Sequence, residues 1–284
     1  MTRAAGIAIR TLLGRLTRVK SSVVVAQSLA ASTADRIPGT LRVMTYNVHS
    51  CVGIDRQVSI QRIAEVIASC SPDLVCLQEL DVRRVRTGAI DQVLAIAESL
   101  EMEFHFHPAL SVAEESYGDA VLSPHPLKLI RSAAIPGLPS RPHLEPRGAL
   151  WVAVEIDGQQ IQLFNTHLGL VAQERQAQID ALLGSQWLGS EACQGPTIFC
   201  GDLNALARSQ VCRKLRQRLR DAQLSLPRQW SKKTFPSRWP LFRIDYVFIS
   251  SHFEVLAAHV PREPLVRNAS DHLPLVVDLK LRLL

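Results

Sequence analysis

The sequence predicts a layered α/β domain, and three observations lead there. Apolar, β-branched runs of strand length interleave with segments whose apolar residues recur at helical spacing. At 284 residues, with 47% hydrophobic content, the chain can bury one large core. Asp157-Gly158, set between two strand-like runs, is the strongest hairpin signal in the chain. The mean hydropathy of +0.08 fits a soluble globular protein. No uninterrupted apolar stretch approaches the roughly 18 residues that a membrane span requires, and there is no internal repeat or low-complexity tract.

Taken in order, Leu41 to Val48 reads as a strand with Asn47 at its end. Val58 to Ala68 carries Ile60, Ile63, Ala64 and Ile67 at helical spacing and predicts an amphipathic helix, ended by Ser71-Pro72-Asp73. Leu74 to Leu77 is a short buried strand that delivers Glu79, and Ile90 to Leu100 is the next helix. Ala120 to Ser123 is a strand stopped by Pro124. Ala149 to Ile156 and Gln160 to Thr166 are the two arms of the hairpin. Ala172 to Leu188 is helical, Thr197 to Cys200 is a strand that delivers Asp202, and Ser209 to Leu219 is helical. Arg243 to Ser250 and Leu275 to Leu281 are the last strands.

The net charge of +6 is unevenly distributed. The first 34 residues hold five of the 32 basic residues (Arg3, Arg10, Arg15, Arg18 and Lys20) and no acid, so 27 basic residues face 26 acidic ones in the remainder. Residues 1–36 form a basic extension, with two readings: a transit-peptide-like or interfacial helix, or an extension without catalytic consequence. Charges interrupt any secretory apolar region, and Pro38-Gly39 marks the boundary to a domain over 37–284. A second basic stretch spans 208–220, either a solvated helix face or an anion-facing patch. Six cysteines without Cys-x-x-Cys spacing argue against a zinc site; Cys70, Cys76 and Cys200 read as small buried hydrophobes of a reducing compartment.

Most of the chemistry-bearing residues stand where apolar runs end. Thr45-Tyr46-Asn47-Val48-His49 comes first, then Leu77-Gln78-Glu79, Asn165-Thr166-His167-Leu168, Gly201-Asp202-Leu203-Asn204, Ile244-Asp245-Tyr246 and Ser270-Asp271-His272-Leu273-Pro274. Strand-end placement brings such residues to one rim of a sheet scaffold. Carboxylates, imidazoles and amides gathered there suit a divalent-metal phosphoesterase. Phosphate esters resist hydrolysis because an anionic centre repels the nucleophile. A catalyst therefore needs a cation, a group to activate water, and donors to the phosphoryl oxygens. Hard oxygen ligands suit Mg²⁺ or Mn²⁺.

This order of motifs resembles the endonuclease/exonuclease/phosphatase superfamily, from about residue 41 to the end of the chain. The resemblance implies a four-layer α/β sandwich of the DNase I type, two packed sheets with helices outside and the site at one edge. It assigns the metal to Glu79, with Asn47 orienting metal and Glu, and puts Asp271 beside the metal or water. It gives Asp202 the attacking water, Asn204 a phosphate oxygen, and His167 and His272 the roles of paired imidazoles, with Asp245 the partner of His272. Asp119, in Tyr117-Gly118-Asp119-Ala120, stands where related chains often have Asn; it either orients His167 or is a loop residue. Arg147 matches a phosphate-facing arginine, or is an ordinary surface residue. His49, His105, His107, His125 and His143 have no motif support and read as structural or exposed.

A finer resemblance, through His167-Leu168-Gly169-Leu170 with Glu174, Arg175 and Gln178, and through Thr234-Phe235-Pro236 with Pro240 and Arg243, is to small bacterial members similar to the lipid-remodelling domain of glycosylphosphatidylinositol anchors. It implies a lipid or small organic phosphodiester as substrate. The basic composition of residues 1–36 adds the expectation of peripheral membrane contact through that extension, with a cytoplasmic, membrane-peripheral location and no obligate protein partner. The competing expectation is a DNA or RNA nuclease. It would use the same site, with residues 208–243 as its groove and Trp230 and Trp239 either stacking on bases or packing internally.

Overall fold

The computed structural model describes residues 40–226 and 232–282. The expected extension over 1–36 lies outside the described residues. Twelve strands among the described residues form two sheets of six. The first contains β1 (Thr40–Asn47), β2 (Leu74–Val82), β3 (Glu103–Val112), β4 (Glu115–Ser123), β11 (Phe253–His259) and β12 (Leu275–Leu281), in the order β11-β12-β1-β2-β4-β3. The second contains β5 (Leu127–Ile135), β6 (Arg147–Ile156), β7 (Gln159–His167), β8 (Thr197–Asp202), β9 (Arg220–Asp221) and β10 (Asp245–Ile249), in the order β5-β6-β7-β8-β10-β9. Helices α1 (Ile60–Cys70), α2 (Gln92–Leu100) and α5 (Pro264–Ala269) group on the first sheet, and α3 (Ala172–Leu183) and α4 (Gln210–Leu215) on the second. This is the four-layer sandwich that the motif order implies.

Local chemistry sets the elements. Ser59 accepts the amide of Arg62 to start α1, which buries Ile63, Val66 and Ile67 and ends at Ser71 in the left-handed region. Asp157 and Gly158, at φ 52° and 72°, make the two-residue turn between β6 and β7. Two helices are shorter than their periodicity suggests. Helix α3 stops at Leu183 before Gly184, and α4 stops at Leu215 because the chain turns to bury Leu219 and enter β9. Strands β3, β5 and β11 carried no clear sequence signal. Two of them are sheet edges, and the third, β11, is also an edge, so each is buried on few positions.

Among the described residues only β1–β2 and β7–β8 pair in parallel. The C-terminal ends of both pairs lie at the same edge of the sandwich. Below that edge the sheets are joined by a buried polar network as well as by apolar packing. Asn165 Nδ2 on β7 donates to the carbonyls of Leu77 (2.9 Å) and Ala120 (2.8 Å) in the opposite sheet, while its oxygen accepts Gln78 Nε2 at 2.7 Å. Every hydrogen-bonding position of that amide is directed across the inter-sheet space, which pins one sheet against the other beneath the site.

Candidate active site

Each strand-end residue reaches the site for a local reason. Between Leu77 and Leu80, β2 carries one more residue than its partner β4, where Ala120 and Gly118 are the matching positions. This bulge holds Glu79 at φ 62° and turns its side chain out of the sheet into the cavity. The amide that the bulge frees is 3.4 Å from Asp119 Oδ1, which accepts it. In the second sheet, register does the gathering. Asp202 lies beside His167 in the parallel pair and opposite Asp245 in the antiparallel pair. Gly201 permits this, since a Cβ there would sit 1.9 Å from the Thr166 carbonyl oxygen. Asn204 follows in the left-handed region, its amide donating to Asp202 Oδ1 at 2.9 Å.

Asn47 binds the two sheets' acids together. Its Nδ2 donates to Glu79 Oε1 at 2.8 Å and to Asp202 Oδ2 at 3.1 Å. Its oxygen accepts the amide of His49 at 3.0 Å. Asn47, expected to orient metal and Glu79, thus accepts from the turn after β1 with its oxygen and presents its nitrogen to the carboxylates. Asp271, also expected beside the metal, lies on the partly exposed cavity wall, 4.0 Å from His49 Nδ1. The Ser270 hydroxyl anchors this loop to β1 by donating to the Asn47 carbonyl at 2.8 Å. Among the described residues the tightest acid-imidazole group is Asp202, Asp245 and His272, with ligand-type atoms within 4.8 Å of one another.

The two imidazoles differ in charge. His272 Nδ1 donates to Asp245 Oδ2 at 3.0 Å, and its Nε2 is 3.6 Å from Asp202 Oδ2. Burial opposes its charge, but the two flanking carboxylates outweigh burial and carry it to about 10, so the ring is protonated. This group is thus a carboxylate–imidazolium chain, with the imidazole unsuited as a metal ligand. His167 is held well below the usual histidine range, first by burial, then by the Arg147 cation and charged His272. Its contacts with Asp202 (3.5 Å) and Glu79 (3.9 Å) are consequently not ion pairs. Arg147 Nη1 donates to its Nδ1 at 2.9 Å and also meets Glu145 Oε1 at 2.7 Å. Arg147, and not Asp119, is the partner at Nδ1. Burial drives Asp119 up to about 8 and Asp202 upward as well, the latter helped by neighbouring Asp245.

These residues open on a cavity of about 590 Å³. Its wall includes residues that sequence reasoning passed over. His49, Ser50 and Cys51 are three successive residues at positive φ, an unfavourable run that sets His49 on the wall. Arg86 is held by both oxygens of buried Asp81 (2.8 and 2.7 Å) and by Ser50 Oγ (3.1 Å), over the Tyr117 ring. Nothing periodic marks either; adjacency to the Asn47 and Glu79 motifs is the only signal. Part of the basic stretch expected over 208–243 is engaged internally. Lys214 pairs with Asp180, Arg216 and Arg243 pair with Asp221, and Arg220 donates to the Phe253 carbonyl. Trp239 is exposed, and Trp230 lies outside the described residues.

The sequence model described as the endonuclease/exonuclease/phosphatase family matches residues 44–272, a span that contains every residue of this cavity named above. The chain belongs to that family. Family members are hydrolases of phosphoester bonds and are generally dependent on divalent metals. Among individual proteins, Escherichia coli K12 YbhP is 25% identical over 255 residues, 85% of this chain and 97% of that protein. A family structure from Beutenbergia cavernae is 28% identical, with a TM-score of 0.66 over 86% of this chain and 72% of that one. The human Nocturnin catalytic domain, at 24% identity, TM-score 0.65 and coverage of 86% and 94%, shares the fold. No helix among the described residues is long and apolar enough to cross a membrane.

Proposed function

We propose that this chain is a Mg²⁺- or Mn²⁺-dependent phosphodiesterase acting on a lipid or small organic phosphodiester. The observation that carries this reading is the convergence of Glu79 and Asp202, from different sheets, on the single amide nitrogen of Asn47. Two carboxylates so placed, one of them buried, call for a cation, and hard oxygens suit Mg²⁺ or Mn²⁺. Glu79 would hold it, with Asp202 nearby; it would supply charge neutralisation and polarisation of the phosphoryl group.

The remaining work falls to this chain's own side chains. Asp202, as an anion, orients the attacking water. Neutral His167 turns Nε2 toward Asp202 and Glu79, the side on which a phosphoryl group would lie. Protonated His272, steadied by Asp245, adds positive charge on the opposite side. Asn204 supports the phosphoryl group beside His167, with Nδ2 and the imidazole Nε2 3.0 Å apart. Arg147 can meet a phosphate through Nη2, since Nη1 is shared between Glu145 and His167. The near balance of charge outside the N-terminal segment, and the internal pairing of Lys214, Arg216 and Arg243, favour a small or lipid diester over a nucleic-acid strand.

The test is hydrolysis by purified protein of an anionic phospholipid panel, a soluble diester, and labelled single- and double-stranded DNA and RNA. Each is run with Mg²⁺, Mn²⁺ or chelator, and with Glu79→Gln. Metal-dependent release from lipid or soluble diester, abolished in the variant, is the expected result. Cleavage of nucleic acid alone would replace this reading with a nuclease; turnover that survives chelation would refute the metal assignment.

A further inference from the structure

Residues 222–244 contain no Asp or Glu, and hold Arg228, Lys232, Lys233, Arg238 and Arg243. Within this stretch three large apolar side chains fall in four residues and stand in solvent: Trp239 is 72% exposed, Leu241 60% and Phe242 46%. Single exposed apolar residues are ordinary, but a run of them means something. The run continues across neighbouring loops. Leu206 (55% exposed) follows Ala205, whose carbonyl accepts the Tyr246 hydroxyl at 2.8 Å; the same hydroxyl donates to the Arg243 carbonyl at 2.9 Å. Leu206 and Phe242 thus each adjoin, along the chain, a carbonyl held by the same hydroxyl. Leu170, 72% exposed, lines the active-site cavity itself.

The loop is stiff and rooted on the site. Thr234 and Phe235 amides donate to the Phe242 carbonyl at 3.0 and 3.1 Å, and Leu241 and Phe242 amides return to the Phe235 carbonyl, both at 2.8 Å. The Thr234 hydroxyl donates to Asp245, the Phe235 ring lies 4.7 Å from the His272 ring, and the Ser237 amide donates to the Asp271 carbonyl at 2.6 Å. Arg267 fastens the Arg238 carbonyl at 3.2 Å. An exposed apolar tip on so constrained a base incurs little ordering cost when it is covered.

We infer that residues 232–242 form an interfacial loop that seats the mouth of the cavity on an anionic phospholipid surface. The occupant follows from the chemistry of the tip. Trp with Leu and Phe is the composition that enters the headgroup–acyl boundary, and Lys232, Lys233 and exposed Arg238 beside it complement anionic headgroups. A nucleic-acid groove needs free cations in a row, and Lys214, Arg216 and Arg243 are instead paired internally. Docking by this loop does not depend on the phosphodiesterase reading.

The experiment is cosedimentation of the full chain, in chelator, with phosphatidylcholine vesicles with and without phosphatidylglycerol. Wild type should bind the phosphatidylglycerol vesicles, and Trp239→Ser/Leu241→Ser/Phe242→Ser should bind at least about tenfold more weakly. Trp239→Phe should retain most binding, and turnover of a soluble diester by the triple variant should be unchanged. Equal binding by wild type and the triple variant, or a lipid-free dimer or nucleic-acid complex lost in that variant, would overturn the inference. A chain that docks through this loop but turns over no phosphoester would refute the proposed function and leave the docking intact.

Discussion

Arg147 Nη1 donates a 2.9 Å hydrogen bond to Nδ1 of His167. On the other side of this neutral ring Nε2 stands 3.0 Å from Asn204 Nδ2 and is turned toward Asp202 and Glu79. An arginine thus does for this imidazole what a carboxylate does for His272, with the opposite result: one ring neutral, one charged, on two sides of the same cavity.

Replacing that arginine tests the relationship. Arg147→Met removes the donor to Nδ1 and the positive charge that depresses His167. Turnover should fall about 100-fold, and the acid limb of the pH–rate profile should move to higher pH, because the ring then protonates more readily. An unshifted profile would show that Arg147 does not control His167.

Glu79→Gln tests cation binding without relying on turnover. In wild type, Mg²⁺ at about 100 times its Kd should stabilise the fold by about 2.7 kcal/mol. Thermal unfolding with Mg²⁺ against chelator reads this directly. The shift should vanish in the variant, whose melting in chelator should match wild type; a retained shift would place the cation elsewhere.

Buried titrating groups fix the pH dependence of the metal-free fold. Asp119 holds its proton to about 8 in the folded state, against 3.8 for its ordinary value. A raised folded value contributes stability below pH 3.8 that is lost as pH climbs through 8. His272, raised from 6.5 to about 10, behaves in the same sense over its own window. Buried neutral His167, held below the usual histidine range, works in the opposite sense at acid pH. In chelator, melting temperature should therefore decline from about pH 7 toward about pH 10. Asp119→Asn should raise the melting temperature at pH 8. A rising wild-type curve above neutral pH would contradict the burial argument.

Arg243 separates a structural from a nucleic-acid role for the basic segment. It is buried, paired with equally buried Asp221, and lies over the Tyr246 ring. Arg243→Leu strands that carboxylate, relieved only in part by Arg216 at 3.5 Å, and should cost about 3 kcal/mol in urea unfolding. Near-native stability, with weakened DNA or RNA retention, would return Arg243 to a binding groove.

Much of this architecture was legible in the chain itself. Strand-length apolar runs end at Asn47, Glu79, His167 and Asp202, and that is where β1, the β2 bulge, β7 and β8 release them. The Asp157-Gly158 turn was equally readable, because turn chemistry depends on a few adjacent residues. Local periodicity reports which side chains leave the core, and so names candidates.

It cannot report what each candidate meets. That Asp202 faces Asp245 follows from antiparallel register between β8 and β10. That Glu79 turns into the cavity follows from one extra residue in β2 measured against β4. The Arg147–His167 bond, the Asn165 bridge between sheets, and the placement of His49 and Arg86 on the cavity wall depend on how two sheets settle against each other. By itself, the sequence determined which residues stand at the rim and in what order. Their partners, charges and tautomers were decided only in the tertiary structure, because register and sheet packing arise from many long-range contacts summed at once, and no short stretch of chain encodes them.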